Sequence, residues 1–335
     1  QYGLNADYRI VDDRTAIQAS LPRAITIAMI RAVRAGLLLT RMRTDEETTI
    51  VGTSDLLSEL IPLLFVRKDQ IRRIAIFHMI YPLGGYKYRF STEFALNPKE
   101  FIGYLQQAIS LMILRWRCDY VFALSNTFGF LVGKGIDSKR IVTFDQGVAR
   151  DLVDGCTNEA SAYDACWIGR YSPRKGCEDL IHIWKLVNKE RPSANLAIMG
   201  SASDSERIRA LVAQNGLGEC VKLLGFVSER VKFQIFAQSK VFPFPSYYEG
   251  WPVAVCEALA CGLPAVLYDL PFNDVFDAGV VKVPVEDVGA FAKAILTLLE
   301  NDEKRQELSA AAKAASTRFD WNKVGHRFMN IFGRP

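Results

Sequence analysis

A chain of 335 residues, half of them hydrophobic and 23% charged, has the composition of a globular protein and enough length for two ordinary domains. No apolar run reaches the roughly 18 residues of a membrane span and no secretory leader is expected, so neither an integral membrane protein nor a secreted one is predicted. The net charge of +4 is uneven: residues 1–150 hold 20 Lys+Arg and 14 Asp+Glu, and residues 151–335 hold 21 and 23. A mildly basic first half suits an anionic acceptor or a membrane surface and is too weak to indicate nucleic acid.

Seven cysteines and three histidines are scattered along the chain, without a CxxC motif or the spacing of a metal site. Isolated cysteines within apolar segments predict thiols in a reducing compartment, and a structural disulfide set is not expected. We therefore expect a cytoplasmic protein that has no metal site, bound at the inner face of a membrane if its basic half contacts lipid.

Short apolar strands alternate with helices through the first half of the chain, the pattern of a parallel sheet covered by helices. Strands are predicted at residues 7–12, 48–52, 73–78, 120–125 and 141–147, and helices at residues 21–43, 56–66 and 101–117. Small polar residues at 151–162 predict a linker to a second domain. We expect domains at residues 1–155 and 156–320, and a closing helix at 321–335 that crosses back to the first domain.

The predicted helix at residues 21–43 is apolar with one basic stripe. On a helical wheel Arg23, Arg34 and Arg41 fall within about 20° of one another, and Arg31 lies about 80° away. Such a helix can lie on the protein surface with its basic side solvated. Alternatively, it can lie on a membrane, because arginines beside large apolar residues suit anionic headgroups.

His78 ends a predicted strand, and a loop rich in glycine, aromatic and basic residues follows it. Ligands sit at the carboxyl ends of strands in open α/β sheets, so the imidazole is a candidate site residue. It can equally be a single imidazole satisfied by a backbone carbonyl. The loop offers four candidate acceptor contacts: Tyr86, Lys87, Tyr88 and Arg89.

Alternating strands and helices continue from residue 163 and predict a second parallel sheet. Strands are expected at 163–169, 194–200, 221–225 and 279–284, and helices at 177–191, 205–215, 231–238, 287–300 and 303–318. Three cations, Arg170, Arg174 and Lys175, crowd the N-terminal end of the helix at 177–191. Cations there oppose the helix dipole unless an anion lies between them, which predicts a bound phosphate.

Residues 240–268 read as a strand, a polar turn, a helix opened by Pro252 and closed by Gly262, and a second buried strand. Glu249 lies in the turn, where free helix amides favour a carboxylate. Glu257 lies mid-helix among apolar residues, where burial is costly without a partner. We expect it either to face solvent on a narrow stripe or to pair with hydroxyl donors.

These motifs resemble a known family. The spacing of Glu249 and Glu257 in EGWPVAVCEALACGLP, together with the Gly169-Arg170 and Lys175-Gly176 pairs, is similar to the signature of retaining, nucleotide-sugar-dependent glycosyltransferases of family four. The resemblance implies the GT-B fold: two Rossmann-like α/β domains whose parallel sheets face a central cleft. It covers residues 163–330 best, residues 48–150 less well and residues 1–47 hardly at all.

The resemblance also implies residue roles. Arg170 and Lys175 would hold the donor diphosphate, Glu249 the hydroxyls of the donor sugar and Glu257 the ribose hydroxyls, and His78 would border the donor sugar. The resemblance further implies that the backbone of several residues lies near the donor. They are Gly169, the turn residues Gly250, Trp251 and Val253, and the nucleobase-loop residues Gly225, Phe226 and Val227. The glycine-rich loop that usually follows the family's first strand has no counterpart before Tyr8, and we expect that strand and loop to be missing.

The function implied is transfer of a hexose, with retention, from a nucleoside diphosphate sugar to a hydroxyl acceptor on a glycan or a lipid-linked glycan. The donor is a substrate, and no other cofactor is expected. Absence of a D-x-D pair argues against a metal-dependent GT-A transferase, and no G-x-G-x-x-G follows a strand as NAD binding needs. A GT-B-fold nucleotide-sugar epimerase and a catalytically silent partner subunit stay open as alternatives.

Overall fold

The computed structural model describes residues 21–41, 48–66, 71–78, 80, 98–155, 161–200 and 205–332. The described residues form two compact units: unit 1 contains those up to residue 144, and unit 2 those from residue 145 onward. The predicted strand at residues 7–12 and the predicted acceptor contacts Tyr86, Lys87, Tyr88 and Arg89 lie outside the described residues.

Unit 1 contains a parallel sheet flanked by helices, as the alternating pattern predicted. Its strands are β1 (Thr49–Gly52), β2 (Arg72–Phe77), β3 (Tyr120–Leu124) and β4 (Ile141–Phe144), paired in the order β1-β2-β3-β4. Its helices are α1 (Leu21–Leu39), α2 (Leu57–Leu64), α3 (Pro98–Arg117) and α4 (Phe128–Gly133). The strands are short apolar runs because helices cover a parallel sheet on both faces.

The core of unit 1 lies between its sheet and its helices. Phe77, Val121 and Ala123 of the strands pack with Leu60 of α2 and Leu114 of α3. Burying such side chains stabilises the fold by roughly 1.5–3 kcal/mol each for the larger ones. This packing fixes the carboxyl end of β2, where His78 follows.

Arg73 at the start of β2 is a fully buried cation. Its backbone N–H donates to Asp119 Oδ2 at 2.8 Å, and its guanidinium lies 3.3 Å from both carboxylate oxygens of the same residue. A buried arginine needs such a partner, because an unpaired charge in the core is very costly.

Unit 2 contains a longer parallel sheet. Its strands are β5 (Tyr163–Ile168), β6 (Leu196–Met199), β7 (Val221–Gly225), β8 (Ser239–Phe244), β9 (Ala265–Tyr268) and β10 (Val280–Val283). Its helices are α5 (Arg150–Asp154), α6 (Cys177–Glu190), α7 (Ser205–Gln214), α8 (Glu229–Ala237), α9 (Val253–Ala260), α10 (Val288–Glu300), α11 (Asp302–Ser316) and α12 (Trp321–Phe332). The strand order is β10-β9-β8-β5-β6-β7, so β5 is paired with β6 on one side and with β8 on the other.

The order of strands reverses between β5 and β8. Open α/β sheets bind ligands outside the carboxyl ends of their strands at such a switch point. The loops that follow β5 and β8 carry Arg170, Lys175 and Glu249, the candidate residues of this unit. The sheet therefore brings to one edge two loops that are about 75 residues apart in sequence.

Residues 145–155 pack with the C-terminal part of unit 2. The Val148 N–H donates to the Phe319 carbonyl at 2.9 Å, and Val148 pairs with Asp320 in a parallel bridge. The guanidinium of Arg150 donates to the Ser316 carbonyl. These contacts place the division between the units after Phe144, eleven residues before the predicted boundary at residue 155.

The predicted α/β class, with a parallel sheet in each of two domains, is confirmed. Among the described residues, no helix combines the length and apolar character needed to cross a bilayer. The six cysteines that the structure describes are free thiols, and four of them are buried. Burial raises the pKa of both Cys118 and Cys166 to about 12, so these thiols stay protonated and pack as small core residues.

Candidate active site

The loop after β5 bends at Gly169, is extended at Ser172 and turns again before α6. Tyr171 is buried, and its ring stacks on Trp167 with centroids 6.1 Å apart. A single turn of 3₁₀ helix then spans Pro173–Lys175, where proline at the first position fixes φ. Gly176 follows with φ +66° and starts α6.

The loops after β5 and β8 are joined to each other. The Arg174 carbonyl accepts a hydrogen bond from the Tyr247 N–H at 2.9 Å, and Ser246 Oγ lies 3.2 Å from the same carbonyl oxygen. Gly176 lies directly on Pro245: a Cβ at Gly176 would come within 1.9 Å of the Pro245 carbonyl oxygen. Only glycine combines this close approach with a left-handed φ, so the join depends on Gly176.

Lys175 and Glu249 meet across this join. Lys175 Nζ lies 2.6 Å from Glu249 Oε1 and 2.7 Å from Oε2. Ser246 Oγ donates to Oε1 at 2.7 Å. The Glu249 side chain is only 8% exposed and that of Lys175 23%, so the carboxylate is buried with its charge balanced and the lysine side chain is partly exposed.

A second buried carboxylate supports the loop after β8. Asp179 of α6 accepts hydrogen bonds from the Tyr247 hydroxyl at 2.5 Å and from the Tyr268 hydroxyl at 2.6 Å. Burial and the neighbouring Asp179 raise the pKa of both tyrosines, which stay protonated as donors. No local sequence pattern predicts this arrangement, because its three members are distant in the chain.

Glu257 of α9 has a partner that we did not predict. Its Oε1 lies 2.8 Å from Nζ of Lys232 on α8, and Lys232 also contacts Glu229 Oε2 at 2.8 Å. Both Lys232 and Glu257 are largely buried. The prediction of a solvated stripe is therefore corrected: Glu257 is largely buried and forms an ion pair, which lowers the cost of burying the carboxylate. Burial nevertheless raises the pKa of Glu257, and Lys232 opposes that shift.

Three further predicted residues lie at the carboxyl ends of β5 and β7, the two strands on either side of β6. The Gly169 N–H donates to the Met199 carbonyl at 3.2 Å, next to Gly200, where a Cβ would come within 1.9 Å of the Gly169 carbonyl. Gly225 ends β7 with φ +69°, and its carbonyl accepts from the Gly200 N–H at 2.7 Å. Phe226 is 84% exposed, so an aromatic ring stands open to solvent beside backbone that a ligand can approach closely.

The remaining predicted residues of unit 2 differ in exposure. The Arg170 side chain is exposed. Trp251 is buried, with its ring 6.1 Å from that of Phe319. Gly250, Val227 and Val253 are partly exposed, and the Val253 N–H donates to the Trp251 carbonyl at 2.9 Å. The Val253 N–H therefore already has an acceptor within the turn around Pro252, which is the N-cap of α9.

His78 follows β2 in unit 1 and lies beside a buried carboxylate. Its backbone N–H donates to Asp55 Oδ1 at 3.3 Å, and its Nδ1 lies 3.9 Å from the same oxygen. Gln107 Nε2 lies 3.5 Å from Asp55 Oδ2, and Ser110 Oγ donates to the Asp55 carbonyl at 2.7 Å. Burial raises the pKa of Asp55. The predicted alternative, an imidazole that contacts a backbone carbonyl, overlooked Asp55.

Comparison with protein families matches residues 159–315 to a model described as glycosyl transferases group 1. O-antigen chain mannosyltransferase B of Escherichia coli is 30% identical over 208 residues, which are 58% of this chain and 54% of that protein. Phosphatidyl-myo-inositol mannosyltransferase of Mycobacterium leprae is 33% identical over 171 residues, 50% of this chain and 45% of that protein. The chain spans about half the length of these curated relatives.

Solved structures match over most of the chain. HepE of Anabaena, in complex with UDP and glucose, has a TM-score of 0.72 at 16% identity, covering 91% of this chain and 82% of that one. Sucrose-phosphate synthase of Thermosynechococcus elongatus has a TM-score of 0.65 at 19% identity, covering 85% and 73%. At such identities the likeness shows the fold alone, and the predicted GT-B fold class is confirmed.

Proposed function

We propose that this chain, whose residues 159–315 match the model of the glycosyl transferases group 1 family, transfers a hexose from a nucleoside diphosphate sugar to a hydroxyl acceptor. We propose further that the anomeric configuration is retained and that no metal ion is needed. The observation that carries the proposal is the contact of Lys175 with Glu249 between the loops that follow β5 and β8. It puts a cation and a carboxylate at the switch point of the sheet, where α/β proteins bind nucleotides.

The two charges suit two different parts of the donor. An ammonium has three N–H donors, so Lys175 can hold Glu249 and still donate to a phosphate oxygen. The carboxylate of Glu249 accepts from Lys175 and Ser246 and keeps lone pairs for sugar hydroxyls. A donor sugar beside Glu249 and a diphosphate beside Lys175 would therefore both be recognised within one small region of unit 2.

The proposed chemistry is mainly electrostatic. When the bond between the sugar and the diphosphate breaks, negative charge grows on the leaving oxygens, and Lys175 and Arg170 would stabilise it in place of a metal ion. A preorganised cation is most effective here because it needs no rearrangement as the charge develops. Attack from the same face as the leaving group, with the diphosphate accepting the acceptor proton, would retain the configuration without a nucleophilic side chain.

Mannose is the hexose that we propose first. The relatives described above are named as mannosyltransferases, which also favours transfer over the epimerase alternative. Glu257 with Lys232 would bind the ribose, and the exposed ring of Phe226 lies where a nucleobase can stack.

We also propose that unit 1 contacts an anionic membrane surface through α1. Its exposed residues combine large apolar side chains, Met29, Val33 and Leu37, with the cation Arg34, and the exposed Arg41 follows the end of the helix. That composition suits a helix lying in the headgroup region. Co-sedimentation with vesicles that contain anionic lipid should fall when Val33 and Leu37 are both changed to Ser, and equal sedimentation of this variant would contradict the proposal.

The direct test of the transfer is a donor panel with product analysis. We would incubate the chain with GDP-mannose, UDP-glucose and UDP-galactose, with and without chelator, and determine the anomeric configuration of the released sugar or product by NMR. One donor should be consumed, with an α-configured product and no effect of the chelator. An inverted product would contradict retention, loss of activity with chelator would contradict metal independence, and epimerised donor would contradict transfer.

A further inference from the structure

A cavity of about 450 Å³ opens on unit 1 between α3 and the end of α4. This volume lies within the range of small-molecule sites. Its lining is mainly apolar: Ile80, Ala108, Leu111 and Phe130 contribute to it. A cavity with such walls favours a hydrocarbon over a sugar, whose hydroxyls would lose their hydrogen bonds to water there.

An exposed apolar stripe runs along α3 at the rim of this cavity. Leu105, Ile109, Met112 and Trp116 follow one another at helical spacing, and Trp116 is 64% exposed. Met112 and Trp116 also line the cavity itself. Contiguous exposed apolar surface of this kind marks an interaction site, so a chain bound in the cavity has an apolar path along the helix.

Two cations stand at the same cavity. Arg115 and Lys134 are exposed, and Lys134 Nζ lies 5.4 Å from the centre of the Phe130 ring. Among the residues that the structure describes, no carboxylate forms an ion pair with either side chain. Two positive groups beside an apolar cavity match an anionic headgroup joined to a hydrocarbon chain.

The cavity adjoins the candidate residues of unit 1 through Gln107. Gln107 lines the cavity, and its side chain lies 3.5 Å from Asp55. Asp55 in turn accepts the His78 N–H. A ligand in the cavity would therefore lie one side chain away from the carboxylate that positions His78.

We propose that this cavity binds a single lipid phosphate, with the phosphate between Arg115 and Lys134 and the hydrocarbon chain along Leu111, Phe130 and the α3 stripe. If the proposed function holds, this lipid is the carrier of the acceptor, and the acceptor class is lipid-linked. The binding itself does not depend on that function.

Isothermal titration calorimetry tests the proposal on the full chain, with farnesyl phosphate below its critical micelle concentration. Farnesol and inorganic phosphate are the two partial probes, one with the chain alone and one with the headgroup alone. We expect farnesyl phosphate to bind, farnesol to bind at least about 10-fold more weakly, and phosphate to give no heat. Loss of two cations near a lipid headgroup corresponds to a drop of about 30-fold, so the double variant R115A/K134A should bind farnesyl phosphate about as weakly as the wild type binds farnesol.

Two further variants locate the site. Ala108→Trp fills the cavity and should abolish binding of both farnesyl phosphate and farnesol, and Met112→Ser at the rim should weaken binding even if the larger change disturbs folding. Lys139→Ala removes an exposed cation of unit 1 outside the cavity and should leave affinity unchanged. Circular dichroism checks the fold of each variant.

Three results would overturn the proposal: no binding of farnesyl phosphate to the wild type, equal binding by R115A/K134A and the wild type, or binding only to anionic vesicles and never to the dispersed lipid. The last result would assign the stripe to a membrane surface. Titration of the same preparations with GDP and UDP separates this outcome from failure of the proposed function, because nucleotide binding in unit 2 is independent of the cavity variants.

Discussion

The two units place functional side chains at the carboxyl ends of parallel strands in different ways. In unit 2, the loops after β5 and β8 bring Lys175 and Glu249 into contact, and a second ion pair joins Lys232 to Glu257. In unit 1, one imidazole beside Asp55 adjoins a cavity that is mainly apolar. The charges of unit 2 are buried in pairs, whereas the cations of the unit 1 cavity are exposed.

This difference matches the proposed ligands. A nucleoside diphosphate sugar is polar along its whole length, so its site needs buried donors and acceptors that are already held in place. A lipid phosphate needs apolar walls and a cation at one end, and its site needs little rigidity. Two units of similar α/β architecture can therefore bind different ligands, because the loops after their strands carry different side chains.

Removal of the Lys175 ammonium should have the largest effect on the unit 2 site. We expect Lys175→Ala to lower kcat by about 10²–10³-fold, because a preorganised group that stabilises developing charge is lost. The variant should also be less stable, because Glu249 stays buried without its cation. Steady-state kinetics with the consumed donor measures this. Lys185→Ala, an exposed lysine of α6, is the matched control. Full turnover by Lys175→Ala would rule out the assignment of Lys175 to the diphosphate.

The join between the two loops can be broken without touching a charge. We expect Gly176→Ala to lower the free energy of unfolding of unit 2 by about 3 kcal/mol, because φ is positive and the new Cβ meets the Pro245 carbonyl. Gly216→Ala has a similar φ of +70° but open space around it, so its cost should be only about 1 kcal/mol. Urea unfolding compares the two. Equal costs would mean that the loops are not locked at Gly176.

Much of unit 2 was predictable from sequence, because apolar strands bounded by glycine and proline leave clear signals. Strand β7 begins and ends where it was predicted, and Lys175 and Glu249 were both predicted site residues. Their contact was not predicted, since it depends on how two distant loops fold against each other.

Residues that act through long-range contacts were missed for the same reason. In the sequence, Lys232 resembles any lysine of an amphipathic helix. Its role depends on the packing of α8 beside α9, which brings it to Glu257. Asp55 lies in a polar loop that reads as solvated. The unit 1 cavity needs the packing of α3 on α4, which no local pattern of residues specifies.

The Lys232–Glu257 pair should make donor binding depend on pH. Lys232 opposes the raised pKa of Glu257, so Lys232→Met should raise that pKa further and protonate the carboxylate at a higher pH. A protonated carboxyl accepts ribose hydroxyls less well, so we expect KM for the donor to rise on acidification, and to begin rising at a higher pH in Lys232→Met than in the wild type. Glu229→Gln keeps the Lys232–Glu257 pair and removes a charge that raises the pKa of Glu257, so in this variant the rise in KM should begin at a lower pH than in the wild type. If the KM of Lys232→Met equals that of the wild type at every pH, Lys232 has no role in donor binding.

In unit 1 the smallest effect concerns Asp55. Its folded-state pKa is raised by burial, so the stability that it contributes is present below its unfolded pKa and is lost as pH rises through its folded pKa. We expect Asp55→Asn to remove that loss, so the Tm of the variant relative to that of the wild type should rise as pH rises above the unfolded pKa of an aspartate, about 4. Asp154→Asn, at an exposed carboxylate of α5, should show no such trend. A difference in Tm that stays constant with pH would mean that burial does not disfavour the Asp55 carboxylate.

The most direct test of the central claim is nucleotide binding by the wild type and by Lys175→Ala, measured as thermal shifts with UDP, GDP, ADP and dTDP. One nucleotide should raise the Tm of the wild type selectively, since a ligand at about 100 times its Kd stabilises the folded state by about 2.7 kcal/mol. The same nucleotide should shift Lys175→Ala much less. If none of the four shifts the wild type, or if Lys175→Ala shifts equally, the loops after β5 and β8 do not form a nucleoside diphosphate site.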